Sequence, residues 1–510
     1  MTALLRNSFT GGWLLPLYEK IRAVASRSLA AHLLFALMAW VGRLADGSLI
    51  KFLFTSECKT DEKWRQSAVC RVVSAVANFF PWLLRKIYTR FEKTLGESRM
   101  VYYLTLIGEA APYIVCLTAI ALLSIHHKQW NNMYSLLLAT AALLCLWLRN
   151  IRGSGLVRFD AIGLWPLVFA FVTLASALWA PKPDESLRFA VFSVTCMLIV
   201  GVCTSAVKNE RQFTLLMLSF ALGIFACSAY GFYQRFIMGI PASSSFTDLS
   251  VNANMPGRVY SFFDNPNACA NVLVFFTPLM LGCALYTPGK RKKAAFWLAF
   301  VLGVGTMLMT YSRGAWMAFA VGVFVMIIIL RPRLIPVFAI LFFIAVPMLP
   351  ANILNRFFTI FGGSDSSINS RTYIYTAVYN IIKDNPLGGV GLGTTNLKYI
   401  ADEYGYYNAA FPFVHAHSIY LEIWAESGIL ALGSFVLTMF FALKKGVRTV
   451  RSRTEPVLRG AAAGCVGGIV GSMIFGITDY AWSYPRVMAL FWFLIAIVYT
   501  ASRLAAESRK

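Results

Sequence analysis

The sequence predicts an all-α integral membrane protein of about twelve transmembrane helices, with a large external loop between the ninth and the tenth. Three observations carry that prediction. The first is composition. Of 510 residues, 58% are hydrophobic and 14% charged, and the mean hydropathy is +0.64. Soluble domains are near half apolar and a quarter charged. So few charges cannot cover so much apolar surface in water, so lipid must solvate most of the chain. Disordered, collagen-like and disulfide-rich secreted classes are excluded by the same numbers. The second is a series of apolar runs near the length of about 20 residues that a spanning helix needs. They centre on 103–124, 133–148, 161–179, 186–206, 213–234, 266–286, 295–310, 315–330, 334–349, 419–443, 459–478 and 487–502. The third is charge placement. With both termini in the cytoplasm, the inside segments hold 35 of the 46 Lys and Arg, and the outside segments and outer helix ends hold 11. That is the positive-inside bias, and one missed helix would invert every later loop. The net charge of +23 therefore reflects topology and not nucleic-acid binding.

In chain order, residues 1–100 come first, with 15 basic and 7 acidic residues. The stretches 28–42 and 72–89 are apolar and aromatic but interrupted, the second by Pro81. They read as amphipathic helices on the anionic inner leaflet, basic residues toward the headgroups. A true span at 28–46 is the competing reading. Glu19, Lys20 and Arg22 break the first apolar stretch, so no cleavable signal peptide is expected. Residues 101–350 hold the first nine spans, with close neighbours separated at Ser312-Arg313-Gly314 and Arg331-Pro332-Arg333. Residues 351–417 form the large external loop, and 239–264 a shorter one. Long connections of this kind are usually functional. The larger holds a helical stretch at 371–384, a stop at Asn385-Pro386 and a glycine-rich turn over 388–393. Residues 418–510 hold the last three spans and a short cytoplasmic tail. The cysteines form no framework. Eight lie in or beside apolar runs as small hydrophobes, and Cys58 and Cys70 lack the partners of a zinc site.

Ionisable groups at membrane depth are costly and mark function. Glu109, Arg235, Arg313, Glu422, Glu426 and Asp479 are the candidates. All but Glu426 are expected near the outer ends of their spans, with Arg258, Arg371, His415 and His417 on the same side. The chemistry is then expected to face outward, where a pre-activated substrate must replace ATP or nucleotide-sugars. The glycine-rich turn lacks the Lys-Ser/Thr of a phosphate loop and reads as a flexible connection between two external helices. His417 stands where a span begins, and an imidazole suits a general base near neutral pH. An interfacial histidine without chemistry remains the alternative. His415 and His417 together are half of a metal site, for which Glu422 or Asp479 would be the third ligand. The preferred reading has no metal and no cofactor. Arg313 and Arg371 carry the planar fork that binds phosphate oxygens in pairs, and a snorkelling role at the headgroups is the alternative. Glu422 and Glu426 are one turn apart on a helix. Together with Arg258 and Asp479 they are expected to contact the acceptor or glycan, or to hold neighbouring residues in place.

Taken in order, these segments resemble the O-antigen ligase and O-antigen polymerase family. The carriers are Trp179 to Arg188 (WAPKPDESLR), Arg258 to Asn267 (RVYSFFDNPN), Tyr311-Ser312-Arg313, Arg371 with Asn385 to Gly391, His417 to Glu422, and Glu426-Ser427-Gly428. The resemblance covers roughly 160–500 and does not separate ligases from polymerases. It implies a GT-C-like helical fold in the bacterial cytoplasmic (inner) membrane. It also implies a metal-independent, inverting transfer of a glycan from an undecaprenyl-pyrophosphate carrier to an acceptor hydroxyl. Arg313 and Arg371 correspond to the family's arginines on the carrier pyrophosphate, and His417 to its essential histidine. The family pattern His-Asn is His417-Ser418 here, and the first 100 residues have no counterpart. A multi-pass transporter and a non-catalytic scaffold for envelope assembly are the rival readings. The glycan and the acceptor, whether carbohydrate, lipid or protein, are not written in the sequence.

Overall fold

The computed structural model describes residues 29–46, 54, 56, 60–153, 155–243, 256–345, 347, 353–354, 366–406, 413–452 and 454–508. Parts of the expected connections 239–264 and 351–417, the end of the expected span 334–349, and residues 1–28 lie outside them. The described residues are helical, with no strand among them.

Two short helices, α1 (Leu29–Asp46) and α2 (Ala68–Ala77), are followed by α3 (Phe79–Arg90), α4 (Arg99–Gly108) and α5 (Ala111–Ser124). Then come α6 (Met133–Arg149), α7 (Leu164–Ser176), α8 (Pro183–Ala206) and α9 (Glu210–Tyr233). The middle of the chain forms α10 (Pro266–Tyr286), α11 (Lys290–Met309), α12 (Arg313–Leu330) and α13 (Ile335–Ala345). The long connection before the last three helices holds α14 (Ser366–Asp384) and α15 (Thr394–Glu403), and the chain ends with α16 (Ile419–Arg451), α17 (Pro456–Phe475) and α18 (Pro485–Glu507). Among the described residues nine helices are long and apolar enough to cross a bilayer: α6, α8 to α12 and α16 to α18. Their starts follow from the sequence. Pro183, Pro266, Pro456 and Pro485 occupy first helical positions, where a missing N–H costs nothing. Asn209 and Asn265 cap α9 and α10 with their side chains.

The protein is thus an all-helical, multi-pass membrane protein. α10 and α18 are enclosed on nearly all sides, as helices apolar all round must be. α17 packs against α10 and α12, α8 against α18, α9 against α5 and α11, and α7 against α16. Hydrocarbon gives no hydrophobic drive between helices, so close packing of small residues does that work. On α17 the backbone of Gly460 meets Gly282, and Gly464 lies on Leu279 so closely that a Cβ would overlap its backbone.

Four elements differ from the sequence reading. The expected first span is a pair, α4 and α5, bent by 40°. At the bend Glu109 lies 3.8 Å from Lys208, beside Arg149. Glu109 therefore stands at the end of the bundle opposite to His417, and the expectation of an outer position is corrected. The expected span 161–179 yields α7 with a short 3-10 turn to Trp179, 16 residues in all, or about 24 Å at 1.5 Å per residue. The described part of 334–349 is the 11-residue α13. The expected run 419–443 is part of a longer helix that breaks at Gly428.

The N-terminal region docks at the same end as Lys208. The α2 and α3 limbs meet at 60°. They have 10 and 12 residues, about 15 and 18 Å, too short to cross alone. At the bend Asn78 exchanges hydrogen bonds with Val157, donating to its carbonyl at 3.0 Å and accepting from its N–H at 2.8 Å. Asn150 donates to the Pro81 carbonyl at 2.9 Å. α1 packs on the segment Pro332–Leu334 and on α13.

Candidate active site

The site is built where α16 begins and α17 ends. Ile419 N–H donates to the Gly476 carbonyl at 2.8 Å, locking the two helix ends together. His417 precedes the capping residue Ser418 and has φ of +47°. A non-glycine residue in this region costs about 1–3 kcal/mol and persists only where its surroundings enforce it. Two further non-glycine residues share the conformation, Ser261 and Tyr311. Each belongs to a segment carrying a candidate arginine, Arg258 or Arg313.

His417 faces Asp479. Nδ1 lies 3.8 Å from Oδ1 of the carboxylate, which is only 7% exposed. That is longer than a hydrogen bond, a looseness common in catalytic pairs without substrate. Burial works against the Asp479 carboxylate. The facing imidazole of His417, backed by His415 and Arg371, outweighs it and holds the acid below its ordinary range. His415 lies beside them, its ring 4.2 Å from that of His417, and its Nδ1 accepts the His417 N–H at 3.1 Å. Burial and then the charge of His417 push His415 down to about 4. Its folded value is below its ordinary one, so it binds fewer protons folded than unfolded between about pH 4 and 6.5. Its stabilising contribution is full above that window and is lost as pH falls through it. The thermal midpoint of the purified protein is expected to drop across this window, and to drop less in His415→Gln. An equal drop in both proteins would remove His415 as the cause.

Arg371 lies close enough to Asp479 and His415 to act on both charges. One turn further along α14, the Tyr375 hydroxyl lies 3.3 Å from the His417 carbonyl and 3.4 Å from that of Ile477. The sequence reading missed Tyr375. Its signal was the i, i+4 spacing from Arg371, which puts both on one helix face. Arg313 opens α12, and Gly314 beside it packs on Phe475 and Thr478, next to Asp479. Arg371, His417 and Asp479 thus gather at the segment 475–480, and the backbone next to Arg313 packs against it. Arg258 is engaged otherwise. It donates to the Thr310 carbonyl and to Asn267 Oδ1, each at 2.7 Å, and so ties the turn before Arg313 to the start of α10.

Glu422 and Glu426 are buried, at 0% and 3% exposure. Glu422 Oε2 accepts the Ala416 N–H at 2.5 Å, one residue before His417. That bond engages its carboxylate, and Asp479 is the acid that joins the two histidines. His415, His417 and Asp479 each offer a ligand atom within 4.8 Å of the others.

The glycine-rich turn is pinned rather than flexible. α16 is broken at Gly428, with φ 80° and ψ 176°, and the turn fills the gap. Val390 N–H donates to the Ala425 carbonyl at 2.8 Å, Gly391 N–H to that of Glu426 at 3.0 Å, and Ile429 N–H to that of Pro386 at 3.0 Å. Non-helical backbone at membrane depth is tolerated where protein satisfies it in this way. From the other side Ser186 and Asn396 bind the Leu392 carbonyl at 2.5 and 2.9 Å. Trp179 Nε1 donates to the Gly388 carbonyl at 3.3 Å. The segment 179–188 therefore clamps the turn onto the break. A side chain at Gly428 would meet the Leu387 carbonyl, in a backbone conformation that also disfavours it. Gly428→Ala is expected to cost at least about 1–3 kcal/mol in strain and to lower the thermal midpoint by several degrees. An unchanged midpoint would show that the turn does not hold the break.

A largely apolar pocket adjoins the site, between α7, α8, α16 and α18. Glu426, Ser427 and Tyr480 are on its wall, and Phe169, Met197 and Trp492 line its apolar part. The Tyr480 ring is 5.7 Å from that of His415.

No curated protein matches the chain. Residues 298–436 match the family model described as O-antigen ligase. That stretch holds Arg313, Arg371, His417 and the pinned turn, while Asp479 comes from beyond it. Over the part that carries the candidate site, the chain resembles the O-antigen ligase family, whose activity is glycosyl transfer.

Proposed function

We propose that the protein transfers or polymerises a glycan from an undecaprenyl-pyrophosphate carrier onto an acceptor hydroxyl, at the outer face of the bacterial cytoplasmic membrane. The observation that carries this reading is Arg371 and a His–Asp pair gathered at segment 475–480, with α12 and its first residue Arg313 packed beside it through Gly314. Arg313 and Arg371 would hold the pyrophosphate, with the positive end of α12 adding to the field.

The step needs neither nucleotide nor metal. The acceptor oxygen attacks the anomeric carbon opposite the leaving group. A carbon–oxygen bond to the acceptor forms as the bond to the pyrophosphate oxygen breaks, and the configuration inverts. The bonding pair leaves with the pyrophosphate, where the arginines stabilise it, as an oxyanion hole stabilises developing charge. The acceptor proton passes to His417 Nε2. Asp479, facing Nδ1, keeps the proton on that nitrogen and then stabilises the imidazolium. Glu422, through Ala416, and Tyr375, through the His417 carbonyl, hold the backbone on which the base stands.

The experiment is genetic and chemical. Cells lacking the protein should accumulate an undecaprenyl-pyrophosphate-linked glycan, identified by mass spectrometry, and the wild-type chain should clear it. No accumulation in such cells would overturn the donor assignment.

Orientation rests on the distribution of 35 Lys and Arg against 11. Placing residues 1–100 and both termini in the cytoplasm puts His417 outside. A reporter fused after Lys510 is expected to be active only in the cytoplasm. Activity on the exterior side would reverse the topology and turn the site inward.

A further inference from the structure

We propose that His415, His417 and Asp479 form a binding site for a divalent transition ion, Zn²⁺ in the first place, and that an ion bound there switches the base off. Two imidazoles and one carboxylate are a zinc donor set that leaves a fourth position open. The three groups offer ligand atoms within 4.8 Å of one another. Tetrahedral zinc with bonds of about 2.0–2.1 Å needs them somewhat closer, which side-chain rotation supplies. Two further features favour an ion. His417 Nδ1 is buried, has no hydrogen-bond partner and stands 3.8 Å from the Asp479 carboxylate. Asp479 is itself more than nine-tenths buried, so its carboxylate has little water to solvate it. His415 Nδ1 is occupied by the His417 N–H, which fixes that ring and leaves Nε2 for the ion.

The consequence for catalysis follows from the tautomer. In the working state His417 carries its proton on Nδ1, toward Asp479, and Nε2 is free to accept the acceptor's proton. A metal ion must take the lone pair of Nδ1. The neutral ring then carries its proton on Nε2, and the nitrogen that serves as base is blocked. No proton is gained or lost by the ring; it changes place. Asp479 is drawn to the ion at the same time and no longer supports an imidazolium. Arg371 stands near the site and opposes a cation, so its removal should tighten metal binding. The inhibitory half of this proposal rests on the glycosyl-transfer reading, and the binding half does not.

The test uses the full-length protein, purified in detergent and stripped with chelator. Zn²⁺ binding is measured by calorimetry, and Co²⁺ binding by its visible absorption, which reports geometry. One equivalent of Co²⁺ should give the intense bands of a four-coordinate site. Zn²⁺ affinity should fall at least tenfold in each of His415→Gln and Asp479→Asn, rise in Arg371→Gln, and stay unchanged in His126→Gln, a control away from the site. Monodispersity and thermal midpoint show which variants are folded, and His415→Gln alone suffices if Asp479→Asn is not. Affinity that is the same in all variants, or no binding to the folded protein, would overturn the site. In the transfer assay, Zn²⁺ should inhibit and chelator should restore or raise the rate. Binding without inhibition would overturn the switch. Loss of activity in chelator, restored by Zn²⁺, would make the ion a participant and overturn both the switch and the metal-free step. Binding by a protein with no transfer activity would leave the site standing and sink the functional reading.

Discussion

His417→Ala is expected to abolish turnover while leaving donor binding largely intact. A positioned general base contributes about 10²–10⁴ in rate. His417 would act on the acceptor hydroxyl, and the arginines that would hold the donor are on other elements, α12 and α14. The variant should therefore lose rate far more than donor affinity. Asp479→Asn should show the same pattern more weakly, because the amide cannot favour the Nδ1-protonated ring or the imidazolium as the carboxylate does. Donor binding by the folded variants separates this outcome from misfolding. Full turnover by His417→Ala would remove the residue from the mechanism.

Arg371→Lys is expected to be almost as damaging as Arg371→Ala. Lysine keeps the charge and loses the planar fork, so a pyrophosphate clamp distinguishes the two where a diffuse field does not. A hydrogen bond to a charged group is worth about 1.5–3 kcal/mol, so one lost in the transition state costs on the order of tenfold to a hundredfold in rate. The measurement is transfer from a carrier-linked glycan by folded variants. A normal rate in Arg371→Lys would reduce Arg371 to a surface charge and leave the clamp with one arm.

Much of the fold is legible in the sequence because a bilayer imposes a length and a polarity on each crossing segment. The uniform runs at 266–286 and 487–502 became the enclosed helices α10 and α18. The errors fall where tertiary contacts override local pattern. Gly428 sits inside an apolar run, and only the turn arriving from 386–393 reveals that the helix is broken there. The same turn reads as flexible by its glycines. Its backbone is instead held at several points, by Ala425, Glu426, Asn396, Ser186 and Trp179. Glu109 lies only six residues past the start of the run 103–124, which enters from the cytoplasmic side, so the topology itself assigns it to the inner end, where Arg149 approaches.

The site was legible by residue type and not by pairing. His417, Arg313 and Arg371 stand out as costly groups at the edges of apolar runs. Nothing local joins His417 to Asp479. That contact arises because the Ile419 N–H is held on Gly476, which brings the ends of α16 and α17 together. Tyr375 and His415 also hold the His417 backbone; His415 is visible two residues away, and Tyr375 only through its spacing from Arg371.

The decisive measurement reconstitutes purified protein with an undecaprenyl-pyrophosphate-linked glycan and a hydroxyl acceptor, without nucleotide. Release of the carrier pyrophosphate and formation of the glycan–acceptor bond are followed together. Both should appear in equal amounts with the wild-type chain, and neither with folded, donor-binding His417→Ala. Transfer by His417→Ala at the wild-type rate, or carrier consumption with no glycosidic product, would contradict the proposed transfer step.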